Sequence, residues 1–217
     1  MDGNLRVAFF PDAFYETNGV ARTSRALAAA ASRRGVPLLC VNGGPATRWI
    51  ENGPCSQLEL ARGPASFALE HDLRHDLLLW RHRRRVRETV RAFAPDVVHI
   101  TGPSDIGQLG VYVARSLNLP LISSWHTNLH EFAARRIEPW LRWLPPVSRR
   151  WVSHSVQRGA LWATLKFYRL ADVLLAPNLE LVDLLRQQTG KPTYLMRRGV
   201  DTTMFSPAML TLEGLAR

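Results

Sequence analysis

The stretch LRVAFFPDAFYETNGVARTSRALAAAASRRGVPLLCV, Leu5 to Val41, decides the fold class. Its first six residues, Leu5–Phe10, are short, apolar and rich in strand formers, as a buried parallel strand requires. Pro11–Asn18 reads as a loop. Gly19–Arg34 reads as a helix with Val20, Ser24, Leu27 and Ala31 on one face, and Gly35 stops it. Val36–Val41 is a second strand. A strand, a helix and a strand in close succession form the unit that builds parallel sheets.

The alternation continues to the C-terminal side. Asn42–Ala68 is irregular and rich in Gly and Pro, with a short strand expected near Leu58–Ala61. Glu70–Phe93 is predicted as one long helix on the spacing of Leu79, Val86, Val90 and Phe93, ended by Pro95. Asp96–Ile100 is a strand, Asp105–Leu117 a helix and Leu121–Trp125 a strand. Leu129–Leu170 reads as mostly helical, broken at Pro139 and at Pro145–Pro146. Val173–Ala176, Leu179–Thr189 and Thr193–Arg197 follow as strand, helix and strand. The expected fold is therefore α/β: a Rossmann-like, doubly wound, mainly parallel sheet with helices on both faces. In such a sheet ligands bind outside the carboxyl ends of the strands. That directs attention to three loops, Pro11–Asn18, Thr101–Ser104 and His126–His130.

Composition narrows the class of function. The 217 residues are 46% hydrophobic, enough for a sizeable core. No apolar run reaches the roughly 18 residues of a membrane span. Met1–Phe10 lacks the features of a secretory signal, so a cytoplasmic location is expected, with peripheral contact at the inner face of the membrane as an extension. Cys40 and Cys55 suggest neither a disulfide framework nor a Cys-based metal site. The formal charge is +10, and 26 of the 28 basic residues are arginine. No recognised nucleic-acid module accompanies that charge, so nucleic acid is not an expected partner. Arg135–Arg169 interleaves arginine with Trp140, Trp143, Trp151 and Trp162. Trp151 and Trp162, eleven residues apart, fall within roughly 20° on a helix, flanked by Arg158 and Arg169. These tryptophans are expected to pack on the sheet while the arginines face water; the alternative is contact with an anionic membrane.

Three places could carry chemistry. Thr17-Asn18-Gly19-Val20 opens a helix, where free N–H groups and the dipole favour an anion and Gly19 allows close approach. The plain reading of Asn18 is an N-cap. His126 directly follows a strand, where an imidazole can orient a hydroxyl, donate to a phosphate or shuttle a proton. His126, His130 and Glu131 raise a zinc-hydrolase reading, but HExxH and its inverse are both absent and no third ligand follows. Glu70, His71, Asp72, His75 and Asp76 read as a solvated helix face. GxGxxG, GxxxxGK[ST] and GxSxG are all absent.

Three segments in register carry a family resemblance: RVAFFPDAFYETNGVARTSRAL (Arg6 to Leu27), PDVVHITGPSDIGQLGVYVARSLNLPLISSWHTNLHEFA (Pro95 to Ala133), and ADVLLAPNLELVDLL followed by RRGVDTTMFSP (Ala171 to Pro207). Together they resemble the N-terminal domain of glycosyltransferase family 4, of the GT-B fold. The resemblance implies an acceptor-side domain over 1–198 and a linker over 199–217 toward a second, donor-binding half. It implies retaining transfer from a nucleotide-sugar to an acceptor, a lipid or a glycan, with no metal cofactor. It assigns Gly19 and Val20, with Arg22, to the donor diphosphate and His126 to catalysis. It places Asn18, Gly102, Thr127 and Asn128 in the cleft on the acceptor side. The basic pair and the two glutamates of the donor half are missing; Glu51 and Glu59 have the right spacing but straddle Gly53-Pro54 in the wrong domain. Transfer by these residues alone is expected to be poor, and a non-catalytic module binding sugar, lipid or nucleotide is the alternative.

Overall fold

The computed structural model describes residues 5–70, 73–126, 143, 145–197 and 199. Among the described residues, ten strands and five α-helices follow in the order β1 (Val7–Phe10), α1 (Gly19–Arg33), β2 (Leu38–Gly44), β3 (Arg48–Asn52), β4 (Cys55–Ala61), β5 (Ser66–Glu70), β6 (Leu73–Asp76), α2 (Arg83–Phe93), β7 (Val97–Ile100), α3 (Asp105–Leu117), β8 (Leu121–Ser124), α4 (Pro146–Tyr168), β9 (Val173–Ala176), α5 (Leu179–Thr189) and β10 (Thr193–Leu195). Eight strands form one sheet in the order β10-β9-β8-β7-β1-β2-β4-β3. Every pairing in it is parallel except β3 with β4. The α/β expectation holds.

Side-chain alternation divides the core. Ala8, Phe10, Leu39, Val41, Val98, Ile100, Leu174 and Ala176 point to one face and pack under α2, α3, α4 and α5 through Val86, Val90, Ile106, Leu109, Val113, Leu165, Tyr168, Val182 and Leu185. Phe9, Leu38 and Cys40 point the other way, onto Ala28 and Ala31 of α1. Helices thus cover both faces, as crossovers from a parallel sheet must.

Two regions differ from the sequence reading. Glu70–Phe93 is not one helix: β5 and β6 form an antiparallel hairpin, and helical backbone begins only with a short 3-10 turn at Leu79–His82 before α2. Asp76 is buried rather than solvated, because its carboxylate accepts from Gly63 N–H (2.7 Å), Leu78 N–H (2.9 Å) and Arg81 Nη1 (3.0 Å). Burial alone would raise its pKa, but those donors hold it below the usual range. The second difference is an additional hairpin, β3–β4, which turns at Gly53 with φ +59°.

The tryptophan expectation also fails for the described residues. Trp143, Trp151 and Trp162 are 81%, 72% and 60% exposed. The inward face of α4 is occupied instead by Leu165 and Tyr168, which belong to the core.

Candidate functional site

Because seven of the eight strands run parallel, their carboxyl ends share one rim, and the loops after β1, β7 and β8 meet there. Asn18 caps α1 from an extended conformation, its Oδ1 accepting the Ala21 N–H at 2.9 Å. That is the plain capping role. It leaves Gly19 and Val20 N–H in the first turn, where a helix has no carbonyl of its own to offer them. No acidic residue lies in that turn, so nothing there competes with an incoming anion for the dipole. Gly19 and Arg22 are exposed and Val20 is half-buried.

The loop after β7 is tied to the loop after β1. Asp12 N–H donates to Thr101 Oγ1 at 2.7 Å, and Ser104 donates its hydroxyl to Asp12 Oδ1 at 2.5 Å. Ser104 Oγ also caps α3 by accepting Gly107 N–H at 3.1 Å. Gly102 is buried against this carboxyl: a Cβ there would lie 2.2 Å from Asp12 Oδ2. Desolvation raises the Asp12 pKa to about 7, and the nearby Asp105 adds to the rise. Sequence reading passed over Asp12, although a carboxylate two residues beyond a buried strand is the signal that marks it.

His126 stands two residues beyond β8 and is buried, 7% exposed. Its Nε2 lies 2.8 Å from Ser124 Oγ, and the same hydroxyl lies 2.9 Å from His99 Nε2 on β7. Tyr168 donates weakly to the Ser124 carbonyl at 3.4 Å and stacks on Trp125 with centroids 4.9 Å apart. His99 packs on Phe9, and burial, then the proximity of the His126 ring, pushes its pKa down to about 3. It is a neutral ring near neutral pH. His99 and Ser124 are therefore members of the site that the sequence reading missed. Thr127, Asn128, His130 and Glu131 lie outside the described residues.

Beside the rim, Glu59 is fully buried and accepts from Tyr15 (2.6 Å) and Arg48 (3.1 and 3.0 Å). Burial would raise its pKa, but these donors and Ala46 N–H hold the carboxyl low. Glu59 and Glu51 sit on the two strands of one hairpin, with Glu59 locked into a structural ion pair. A cleft of about 490 Å³ lies between α1 and β2–β4, and a second of about 530 Å³ lies against α2; neither is lined by Gly19 or His126.

A family model described as Glycosyltransferase Family 4 matches residues 17–204. The chain belongs to glycosyltransferase family 4. Relatives of this family 4 chain include a GDP-mannose-dependent alpha-mannosyltransferase of Mycobacterium tuberculosis, 30% identical over 57% of this chain and 29% of that protein. Another is the sulfoquinovosyl transferase SQD2 of Arabidopsis thaliana, 25% identical over 59% of this chain and 23% of that protein. Among solved structures, a glycosyltransferase from Rickettsia africae superposes with TM-score 0.52 at 12% identity, over 99% of this chain and 48% of the other. That likeness shows the fold of one half of a GT-B protein. Family 4 membership and the sheet topology agree, while the matched stretch spans less than a third of the length of these curated relatives.

Proposed function

We propose that this chain is the acceptor-side part of a retaining glycosyltransferase that moves a hexose from a nucleotide-sugar to a lipid or glycan acceptor. Residues 1–198 form that domain, and 199–217 lead toward a donor-binding half. The observation that carries the reading is that the Gly19 turn and His126 stand at the carboxyl ends of parallel strands on one rim. In this reading Gly19 and Val20 N–H groups, with Arg22, meet the diphosphate, and His126 contacts the transferred sugar. Asn18 and Gly102 shape the cleft around them, and Thr127 and Asn128 are the acceptor-side candidates beyond His126. No metal takes part. GDP-mannose is the first donor to try, because related family 4 proteins carry that specificity in their names.

The test measures GDP release from GDP-mannose with a lipid extract as acceptor. The 217-residue chain alone should turn over poorly, because groups absent from the site stabilise no transition state. Supplying a donor-binding half should restore turnover, and His126→Ala should lower kcat by about 100-fold, as loss of one oriented donor does. Full turnover by the His126→Ala protein would remove that residue from the reaction. Robust transfer by the chain alone would remove the need for a second half.

The outer face of α4 favours a lipid surface at the cytoplasmic side as the place where the acceptor is met. Trp151 and Trp162 are exposed there beside Arg158 and Lys166. Among the described residues no helix is long and apolar enough to cross a membrane, so the contact would be peripheral.

A further inference from the structure

We propose that Ser124 and His99 are positioning residues that hold neutral His126 in the Nδ1–H form through the chain His99 Nε2–H to Ser124 Oγ–H to His126 Nε2. The functional weight of this inference rests on the sugar-transfer reading; the tautomer itself does not.

The geometry allows few arrangements. Ser124 Oγ is buried and lies 2.9 Å from one imidazole nitrogen and 2.8 Å from another. A hydroxyl carries one proton, so Ser124 can donate to only one of the two rings. The other outlet for that proton, the Ile100 carbonyl, is 3.4 Å away and weak by distance. At least one ring must then donate to Ser124. Among the described residues the hydrogen bond of the His99 ring is made through Nε2, and this ring stays neutral. Its single proton is best spent at Nε2, toward Ser124. The serine proton is thereby directed to His126 Nε2, which accepts, and the His126 proton resides on Nδ1.

The same chain accommodates one proton on the His126 ring. A second proton on that ring would turn Nε2 into a donor and aim two N–H groups at one oxygen, forcing the serine proton onto the long Ile100 contact. An imidazole held in the Nδ1–H form presents that nitrogen as a hydrogen-bond donor rather than as a base. The sheet supplies the juxtaposition. β7 and β8 are in register at His99 and Ile122, so Ser124 lies two residues further along the same face, above His99.

The experiment is long-range ¹H–¹⁵N correlation NMR on the histidine-labelled 217-residue chain, with His126 assigned by the difference from His126→Gln. The expected spectrum shows a pyrrole-type Nδ1 and a pyridine-type Nε2 for His126 near neutral pH. Ser124→Ala should move the ring toward the Nε2–H form that free imidazole prefers. His99→Gln, whose amide N–H can replace Nε2–H, should keep the wild-type pattern, whereas His99→Leu should not. The wild-type spectrum decides even if a variant fails to fold: an Nε2–H ring overturns the chain of hydrogen bonds whatever a transfer assay gives. An Nδ1–H ring together with unaffected transfer by His126→Ala supports the positioning chain and counts against the transfer reading.

Discussion

Asp12 shows how much one residue at the strand-end rim can store. Its carboxyl accepts the Ser104 hydroxyl and is covered by Gly102, and burial moves its pKa from 3.8 to about 7. A raised carboxyl pKa means that the folded chain holds a proton which the unfolded chain has already lost between those two values. Stability therefore falls as pH climbs through that window, and the full cost of the buried anion is present above pH 7. At about 1.4 kcal/mol per pKa unit the ceiling is about 4 kcal/mol. Asp12→Asn mimics the protonated group and still accepts from Ser104. Urea melts should show the substituted chain more stable at pH 8 by about 2 kcal/mol, with the advantage gone by pH 4. Equal stability of the two chains at both pH values would dismiss a buried carboxyl with a neutral-range pKa. His126 could be picked out from sequence at this scale because it directly follows the predicted strand Leu121–Trp125. His99 and Ser124 could not, since 25 residues separate them and only sheet register joins them.

At the scale of elements, the parallel frame was legible because buried strands announce themselves as short apolar runs, such as Val7–Phe10 and Val97–Ile100. The hairpins were not. Leu79, Val86, Val90 and Phe93 keep a helical spacing that masks the break before them, and nothing local reveals that Asp76 will be buried by Gly63 and Arg81. Asp105, the first-turn residue of α3, adds a non-local clasp: it accepts Asp76 N–H at 2.8 Å and Arg62 at 2.6 Å, pinning the hairpin to a helix 29 residues on. β3 is an exposed edge strand, so it lacks the apolar signature of its neighbours. The α3 entrance makes its own prediction. A Cβ at Gly107 would lie 1.8 Å from the Gly102 carbonyl oxygen, whereas one at Gly102 meets the Asp12 side chain. Backbone yields less than a side chain does. Gly107→Ala should cost more than about 3 kcal/mol and Gly102→Ala about 1–3 kcal/mol, read from thermal or urea unfolding. The reverse order would mean that α3 does not approach the β7 loop as closely as described.

The whole molecule carries +10 charge, and the question is where that charge meets a partner. α4 displays Trp151 and Trp162 about 20° apart on its outer face, with Arg158 and Lys166 exposed beside them. Arg169 belongs less to this face, because its guanidinium donates to the Gln188 carbonyl at 3.2 and 2.6 Å. The Lys166 ammonium sits 4.2 Å over the Trp162 ring, so charge and aromatic surface are presented together. A solvated helix needs no tryptophan on its outer face; an interfacial one uses tryptophan at headgroup depth and cations for anionic lipids. Two components with different salt responses follow. Vesicles rich in phosphatidylglycerol should float the chain at low salt, and high salt should weaken that binding as exposed charges are screened. Trp151→Ala with Trp162→Ala should weaken binding at either salt level, whereas Arg158→Gln with Lys166→Gln should flatten the salt dependence. Neither pair touches the strand-end rim, so His126 and its partners should keep their NMR pattern. Absence of flotation on anionic vesicles at low salt would leave these tryptophans without a lipid role.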